Sequence, residues 1–302
     1  MTINRRQILA RYGALGGLTL ATAGAASADG VQPAGQTATV RTADGAQLRI
    51  RDIGQGHTIV LIHSWALSQV LWDPVVALLL ARGYRCVTYD MRGHGHSTEG
   101  FSSWTADILV DDLARVWKHR ELADATIVAH SMGCGTACRF AGRTSGRHAL
   151  RLVLVSPTTP YNIRTADHES RVSHAALEAL HALWIADFPQ WVTENAPAFF
   201  SPDTSAARVQ WGINLCLQTP LTVALAANRI DMETDYRNDL RRLSAPTLIV
   251  HGDADVSASL VHNAQATAAL VAQSKLKIYA GAPHGLPLTH ALELANDIAD
   301  WC

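Results

Sequence analysis

The chain has 302 residues, 48% of them hydrophobic, with 25 basic residues against 26 acidic ones. That length and apolar content let one large domain, or one domain with an insertion, bury a sizeable core. The even charge balance and the lack of any Lys/Arg cluster interleaved with aromatics argue against nucleic acid as a partner.

Residues 1–28 stand apart. NRRQILARYGALGGLTLATAGAASA carries paired arginines at Arg5 and Arg6, a short run rich in Gly and Ala, and a small-x-small end at Ala26-Ser27-Ala28. It resembles a bacterial twin-arginine signal peptide, an address read by the twin-arginine export machinery, which implies a periplasmic or secreted protein. The run is too short and glycine-rich for a membrane span. Cleavage after Ala28 would remove Arg5, Arg6 and Arg11 and no acid; 25 less three leaves 22 basic against 26 acidic residues, a net of −4.

From Ala38 onward short β-type runs alternate with amphipathic stretches. ATVRT and AQLRIRDIG read as a hairpin about Asp44-Gly45. TIVLIH (58–63), RCVTYD (85–90), ATIVAH (125–130), LRLVLVS (150–156), PTLIVHG (246–252) and LKIYAG (276–281) are continuous apolar runs, as strands buried on both faces require. Helical periodicity occupies 71–82, 103–119, 132–145, 257–272 and 287–301. Strand and helix in alternation predict an α/β fold, a mostly parallel sheet flanked by helices.

One interval breaks that rhythm. Between Ser156 and Pro246 helical periodicity runs on without a buried strand, which reads as a helical cap inserted into the sheet domain. The division is thus signal peptide 1–28, core 29–156 and 240–302, and cap 157–239. Trp184, Trp191, Trp211, Phe188, Phe199 and Phe200 lie in the cap, gluing it to its base, with some of the set lining an apolar pocket. His168, His174 and His181, spaced by six and seven residues, are expected on solvated positions.

Chemistry concentrates at AHSMG. A serine hydroxyl is a weak nucleophile unless presented sharply, beside a base, with amide donors waiting for the oxyanion. A strand-to-helix turn with small residues two before and two after the serine, here Ala129 and Gly133 about Ser131, provides that presentation. A helix N-cap is the bland alternative for Ser131. An acid and a histidine are then needed at the ends of later strands, and Asp253 or Asp255 follows one while His284 follows the next. The five cysteines include no CxxC pair, so neither a zinc site nor a disulfide framework is suggested, and Cys134 and Cys138 are poorly placed to bridge.

HSWALSQVLWDP (63–74), YDMRGHGHS (89–97), VAHSMGCG (128–135), APTLIVHGDAD (245–255) and GAPHGLPLTHA (281–291) together resemble the α/β-hydrolase superfamily, in the branch of cofactor-free haloperoxidases, perhydrolases and aryl esterases. The resemblance implies the α/β-hydrolase fold with a helical cap, no organic cofactor and no metal. It assigns Ser131 as nucleophile, His284 as base and Asp255 as the acid, leaving Asp253 to brace its loop. It places the oxyanion donors on the backbone N–H groups of Trp65 and Met132. Ser64 departs from the usual Gly, and its Cβ loosens the expected pose of Trp65. Ala66 departs from the Pro that perhydrolases and haloperoxidases often carry, which weakens a peroxide reading. His94 and His96 fall in a glycine-rich turn that recurs in this fold, with no further ligand at metal spacing. The glycines lack dinucleotide spacing, so nicotinamide and flavin are not supported.

The function expected is cleavage of carboxylic esters or lactones through an acyl-enzyme, on a small apolar or aromatic substrate. A perhydrolase or haloperoxidase using the same triad, a C–C bond or amide hydrolase, and a ligand-binding scaffold without turnover are the alternatives. An aspartate in place of Ser131 would be needed for epoxide hydrolysis or dehalogenation by the usual route.

Overall fold

The structure is a computed structural model that describes residues 35–102, 104–144, 148, 150–165 and 172–302. The twin-arginine segment and His168 lie outside the described residues.

Eight strands form one sheet in the order β1-β2-β4-β3-β5-β6-β7-β8. β1 (Gln36–Arg41) and β2 (Gln47–Ile53) pair as an antiparallel hairpin whose turn places Gly45 at φ 94°, left-handed backbone that glycine adopts without a steric penalty. β2 pairs antiparallel with β4 (Arg85–Tyr89). From there β3 (Thr58–Ile62), β5 (Ala125–His130), β6 (Leu150–Val155), β7 (Thr247–Gly252) and β8 (Ser274–Tyr279) continue the sheet in parallel. The chain winds one way from β3 to β4 and the other way from β5 onward. β3 and β5 therefore flank a topological switch point, where a crevice opens at the strand carboxyl ends.

Residues alternate between two cores across this sheet, as the period of two dictates. On β3, Ile59 and Leu61 pack on one face, with α1 (Asp73–Leu80) and α10 (Ala291–Trp301). Val60 and Ile62 pack on the other, with α2 (Ala106–His119) and α3 (Gly133–Arg143). All four are fully buried, each worth roughly 1.5–3 kcal/mol relative to exposure.

Between β6 and β7 lie α4 (His174–Asn195), a 3-10 turn at Ala196–Phe199, α5 (Ala206–Leu217), α6 (Leu221–Glu233) and α7 (Arg237–Arg241). α7 runs across the boundary drawn between 239 and 240, because Leu240 anchors it in the sheet core. α4 buries Leu177, His181, Trp184, Phe188 and Val192, one helical face, and kinks at Asp187 beside Pro189. His181 is thus not solvated: it is 5% exposed, and its Nε2 sits 2.9 Å from Asn228 Oδ1. His174 is exposed.

The chain beyond β7 differs from the periodicity in three places. The stretch 257–272 is a π-helical turn at Leu260–Gln265 followed by α8 (Ala266–Leu270). The helix expected over 287–301 breaks at His290 (φ −124°, ψ 34°) into α9 (Leu286–Thr289) and α10. β8 begins two residues before its apolar run, because an edge strand keeps half its residues in solvent and needs fewer apolar positions.

Candidate active site

Ser131 is the residue after β5 and holds φ 53°, left-handed backbone that costs a residue with a Cβ on the order of 1–3 kcal/mol. The turn is over-determined. Ser131 N–H donates to Val155 O at 2.9 Å, Cys134 N–H returns to Ser131 O at 2.9 Å, and a Cβ on Gly133 would meet His63 O at 2.6 Å. Only glycine lets α3 leave so close to β3.

The chain order serine, acid, histidine closes in space. His284 Nε2 lies 2.9 Å from Ser131 Oγ, and His284 Nδ1 lies 2.7 Å from Asp255 Oδ2. An ionised carboxylate can only accept, so Nδ1 carries the ring proton and Nε2 is left to accept the serine O–H. The other oxygen of Asp255 takes the N–H groups of Ser257 and Ala258, both at 2.8 Å. Burial pushes the Asp255 carboxyl up, but the charge of His284 and the bonds from His284 and Ala258 outweigh it and leave it below the ordinary value. Asp253 is elsewhere: its Oδ1 accepts Gly281 N–H at 2.6 Å, bracing the loop.

Two neighbours of this set gave no signal as partners of His284. The His284 carbonyl takes His130 Nε2–H at 3.0 Å and the Ser156 hydroxyl at 3.1 Å, as well as Leu286 N–H at 2.9 Å. Three donors on one carbonyl fix the backbone that carries the base. Burial holds the His130 imidazole down at about 3, so it stays a neutral donor. That both residues follow apolar strand runs was visible in the sequence; that they meet the histidine loop was not.

The N–H groups of Trp65 and Met132 donate to no acceptor among the described residues. Met132 directly precedes α3, where the helix dipole favours negative charge. The expected difficulty at Ser64 falls instead on Ala66, which holds φ 52°, while Ser64 keeps ordinary backbone and accepts Leu67 N–H at 3.4 Å. Trp65 is pinned by its side chain: its Nε1–H donates to Ala224 O at 2.7 Å, and it stacks on Trp184 at 4.7 Å with Phe188 and Trp191 edge-on.

Aromatics from the inserted helices reach the centre. The Phe199 ring lies 5.7 Å from His284, and Phe199 O accepts Gly285 N–H at 3.0 Å. Ser131 and His284 are each 6% exposed, dry enough to strengthen charge interactions. Trp211 and Phe200 pack in the same apolar cluster. Such a centre can move a proton from serine to imidazole and hold an oxyanion on two amides without a metal. His94 is buried, with Nδ1–H donating to Arg92 O at 2.8 Å, while His96 is exposed. No group of three or more His, Cys, Asp or Glu suited to a metal ion occurs among the described residues. Cys134 and Cys138 are both free thiols.

Residues 55–288 match the family model described as serine aminopeptidase, S33. The chain is 31% identical over 252 residues to the non-heme chloroperoxidase CPO-A1 of Kitasatospora aureofaciens, covering 82% of this chain and 92% of that one. It is 28% identical over 268 residues to the bifunctional esterase/perhydrolase DCH of Acinetobacter calcoaceticus, covering 86% and 97%. Among solved structures, a bromoperoxidase from Bacillus anthracis superposes with a TM-score of 0.82 at 29% identity over 88% of this chain and 99% of that one. An esterase from Exiguobacterium antarcticum gives a TM-score of 0.83 at 22% identity over the same shares, a likeness in fold alone.

Proposed function

We propose, for a chain that belongs to the α/β-hydrolase superfamily and within it to the branch of non-heme haloperoxidases and esterases, that it hydrolyses carboxylic esters or lactones through an acyl-enzyme on Ser131. The observation that carries this reading is the unbroken relay Ser131–His284–Asp255, at 2.9 and 2.7 Å, with serine and histidine nearly buried.

The chemistry follows from these positions. Ser131 Oγ attacks the acyl carbon while His284 Nε2 takes its proton, and Asp255 stabilises the imidazolium through Nδ1–H. The developing oxyanion accepts the N–H groups of Trp65 and Met132. His284 then gives its proton to the departing alkoxide. Water, losing a proton to the same Nε2, attacks the acyl-enzyme; the acyl–Oγ bond breaks, Ser131 Oγ takes that proton back from His284, and the acid is released.

Perhydrolysis is the second reading, because a relative carries that activity in its name. It would differ only in the nucleophile admitted for deacylation. Ala66 favours hydrolysis: a proline ring fixes φ near −65°, so the conformation at φ 52° shapes this loop differently from one bearing Pro. The inserted helices act in this reading as a cap, whose tryptophans and phenylalanines favour apolar or aromatic acyl groups. Arg5, Arg6 and the small-residue end at Ala28 support export by the twin-arginine route. Cell fractionation with Arg5→Lys and Arg6→Lys together would trap the protein in the cytoplasm; unchanged fractionation refutes this route.

The test of function is a panel of p-nitrophenyl esters, aryl acetates, lactones and an amide on purified protein, with peroxide present and absent and Ser131→Ala as control. Ester or lactone turnover exceeding peracid formation, and lost by several orders of magnitude in the variant, is expected. Wild-type rates in Ser131→Ala would overturn the assignment.

A further inference from the structure

The relay uses one carboxylate, and a second lies close by without a task. Asp231, on α6, is 8% exposed. Thr158 Oγ1–H donates to its Oδ1 at 2.6 Å, and Asn162 Nδ2–H donates to its main-chain carbonyl at 3.0 Å. Oδ2 takes no hydrogen bond from a described residue, and no Lys, Arg or His among them forms an ion pair with it. Arg229, two residues earlier on α6, is engaged by Glu178 and Glu233. The residue keeps a small exposed surface through which a donor could reach it.

The residues that hold Asp231 follow the strand beside the reaction centre. β6 runs between β5, which ends at Ser131, and β7, which leads to Asp255. Thr158 lies two residues past Ser156, whose hydroxyl holds the His284 carbonyl. His284 is close enough for its charge to act on the Asp231 carboxyl.

The carboxylate is also firmly placed. Asn263, in the π-helical turn beyond Asp255, donates through Nδ2 to Thr158 O at 2.7 Å and to Asn162 Oδ1 at 3.1 Å, and so braces both residues that hold Asp231. A buried carboxylate without a cation is costly, and one held with an oxygen free is suited to a donor arriving from outside. Burial pushes this carboxyl up to about 6, against the pull of Thr158 and His284, as expected for an acid short of partners.

Resting on the ester-hydrolase reading, we propose that Asp231 is a specificity determinant that receives an ammonium or hydroxyl donor on the substrate and turns away substrates bearing a free carboxylate. Like charge repels a carboxylate strongly at a nearly buried group, whereas a charge-assisted hydrogen bond attracts an ammonium.

The test uses three aryl esters of matched acyl length, ending in methyl, ammonium or carboxylate, and reads kcat/KM for each. The wild type is expected to prefer the ammonium over the carboxylate ester by about 30-fold or more. Asp231→Asn should bring that ratio within about threefold of unity, and Thr158→Val, which keeps the carboxylate, should retain most of it. A second measurement needs no variant. The ammonium-to-methyl ratio in the wild type should fall as pH drops through about 6, because Asp231 gains a proton there. Normalising to the methyl ester cancels any loss common to all three substrates. Tyr236 and Cys134, the other titratable groups coupled to Asp231, stay neutral because burial raises both. A wild type without charge preference, a preference that survives Asp231→Asn, or a ratio flat through pH 6 overturns the proposal while leaving the esterase reading intact. Failure to hydrolyse any of the three, or hydrolysis that persists in Ser131→Ala, overturns both.

Discussion

Three imidazoles sealed in the interior make the fold sensitive to mild acid. His63, His94 and His130 are fully buried, and burial holds them down at about 4, 3 and 3. Their bonds suit the neutral ring: His63 Nε2 accepts Met91 N–H at 2.8 Å, and His94 Nε2 and His130 Nδ1 have no hydrogen-bond partner among the described residues. In the unfolded chain each takes up a proton near pH 6.5, which the folded protein refuses. Stability from these groups is therefore complete above pH 6.5 and is lost as pH falls toward the folded values. Between pH 6.5 and 5.0 the three together remove about 5 kcal/mol, from about 1.4 kcal/mol per histidine per pH unit once fully below 6.5. Asp231 works in the opposite sense. Its folded value of about 6 exceeds the usual 3.8, so protonation between those values stabilises the fold, returning about 1 kcal/mol at pH 5.0. His57 and His251, also lowered, add to the loss, and the raised Asp112 offsets part of it. A net loss of about 4 kcal/mol is a large share of an ordinary stability of about 5–15 kcal/mol. Urea unfolding followed by circular dichroism at pH 6.5 and 5.0 measures it. A midpoint that stays level or rises on acidification would refute the buried neutral assignment.

Asp255→Asn presents an amide N–H to His284 Nδ1–H and forces the wrong tautomer, so kcat should fall about 10³–10⁴-fold with little change in KM or in the circular dichroism spectrum. A loss under tenfold would show that the acid is elsewhere. Gly285→Ala puts a Cβ 2.3 Å from Phe199 O and 2.5 Å from its ring. It should cost about 1–3 kcal/mol in urea unfolding and lower kcat by shifting His284; wild-type stability would mean that this contact is looser than described.

What was legible in the sequence was local. Runs such as TIVLIH and ATIVAH are buried on both faces, so composition alone marks them. AHSMG marks its own turn because small residues are required on each side of the serine. Where local signals fail, a tertiary partner decides. His181 looked solvated when compared only with other histidines, but it lies four residues after Leu177 and three before Trp184, on the face that packs. Asp231 sits in an ordinary helical stretch, and only the fold brings it to Thr158 and the neighbourhood of His284. The strained backbone fell on Ala66 and not on Ser64, because residue type alone does not tell which member of a turn goes left-handed. β8 was displaced by two residues, since an edge strand leaves a weak apolar trace.

The central claim is that Ser131 is the activated nucleophile, and covalent capture tests it most directly. Folded protein treated with a fluorophosphonate, then analysed by intact mass and peptide mapping, should carry one adduct, on Ser131. Labelling should vanish in Ser131→Ala and slow sharply in a variant lacking His284. An adduct on another residue, or none on folded wild type, would contradict the account.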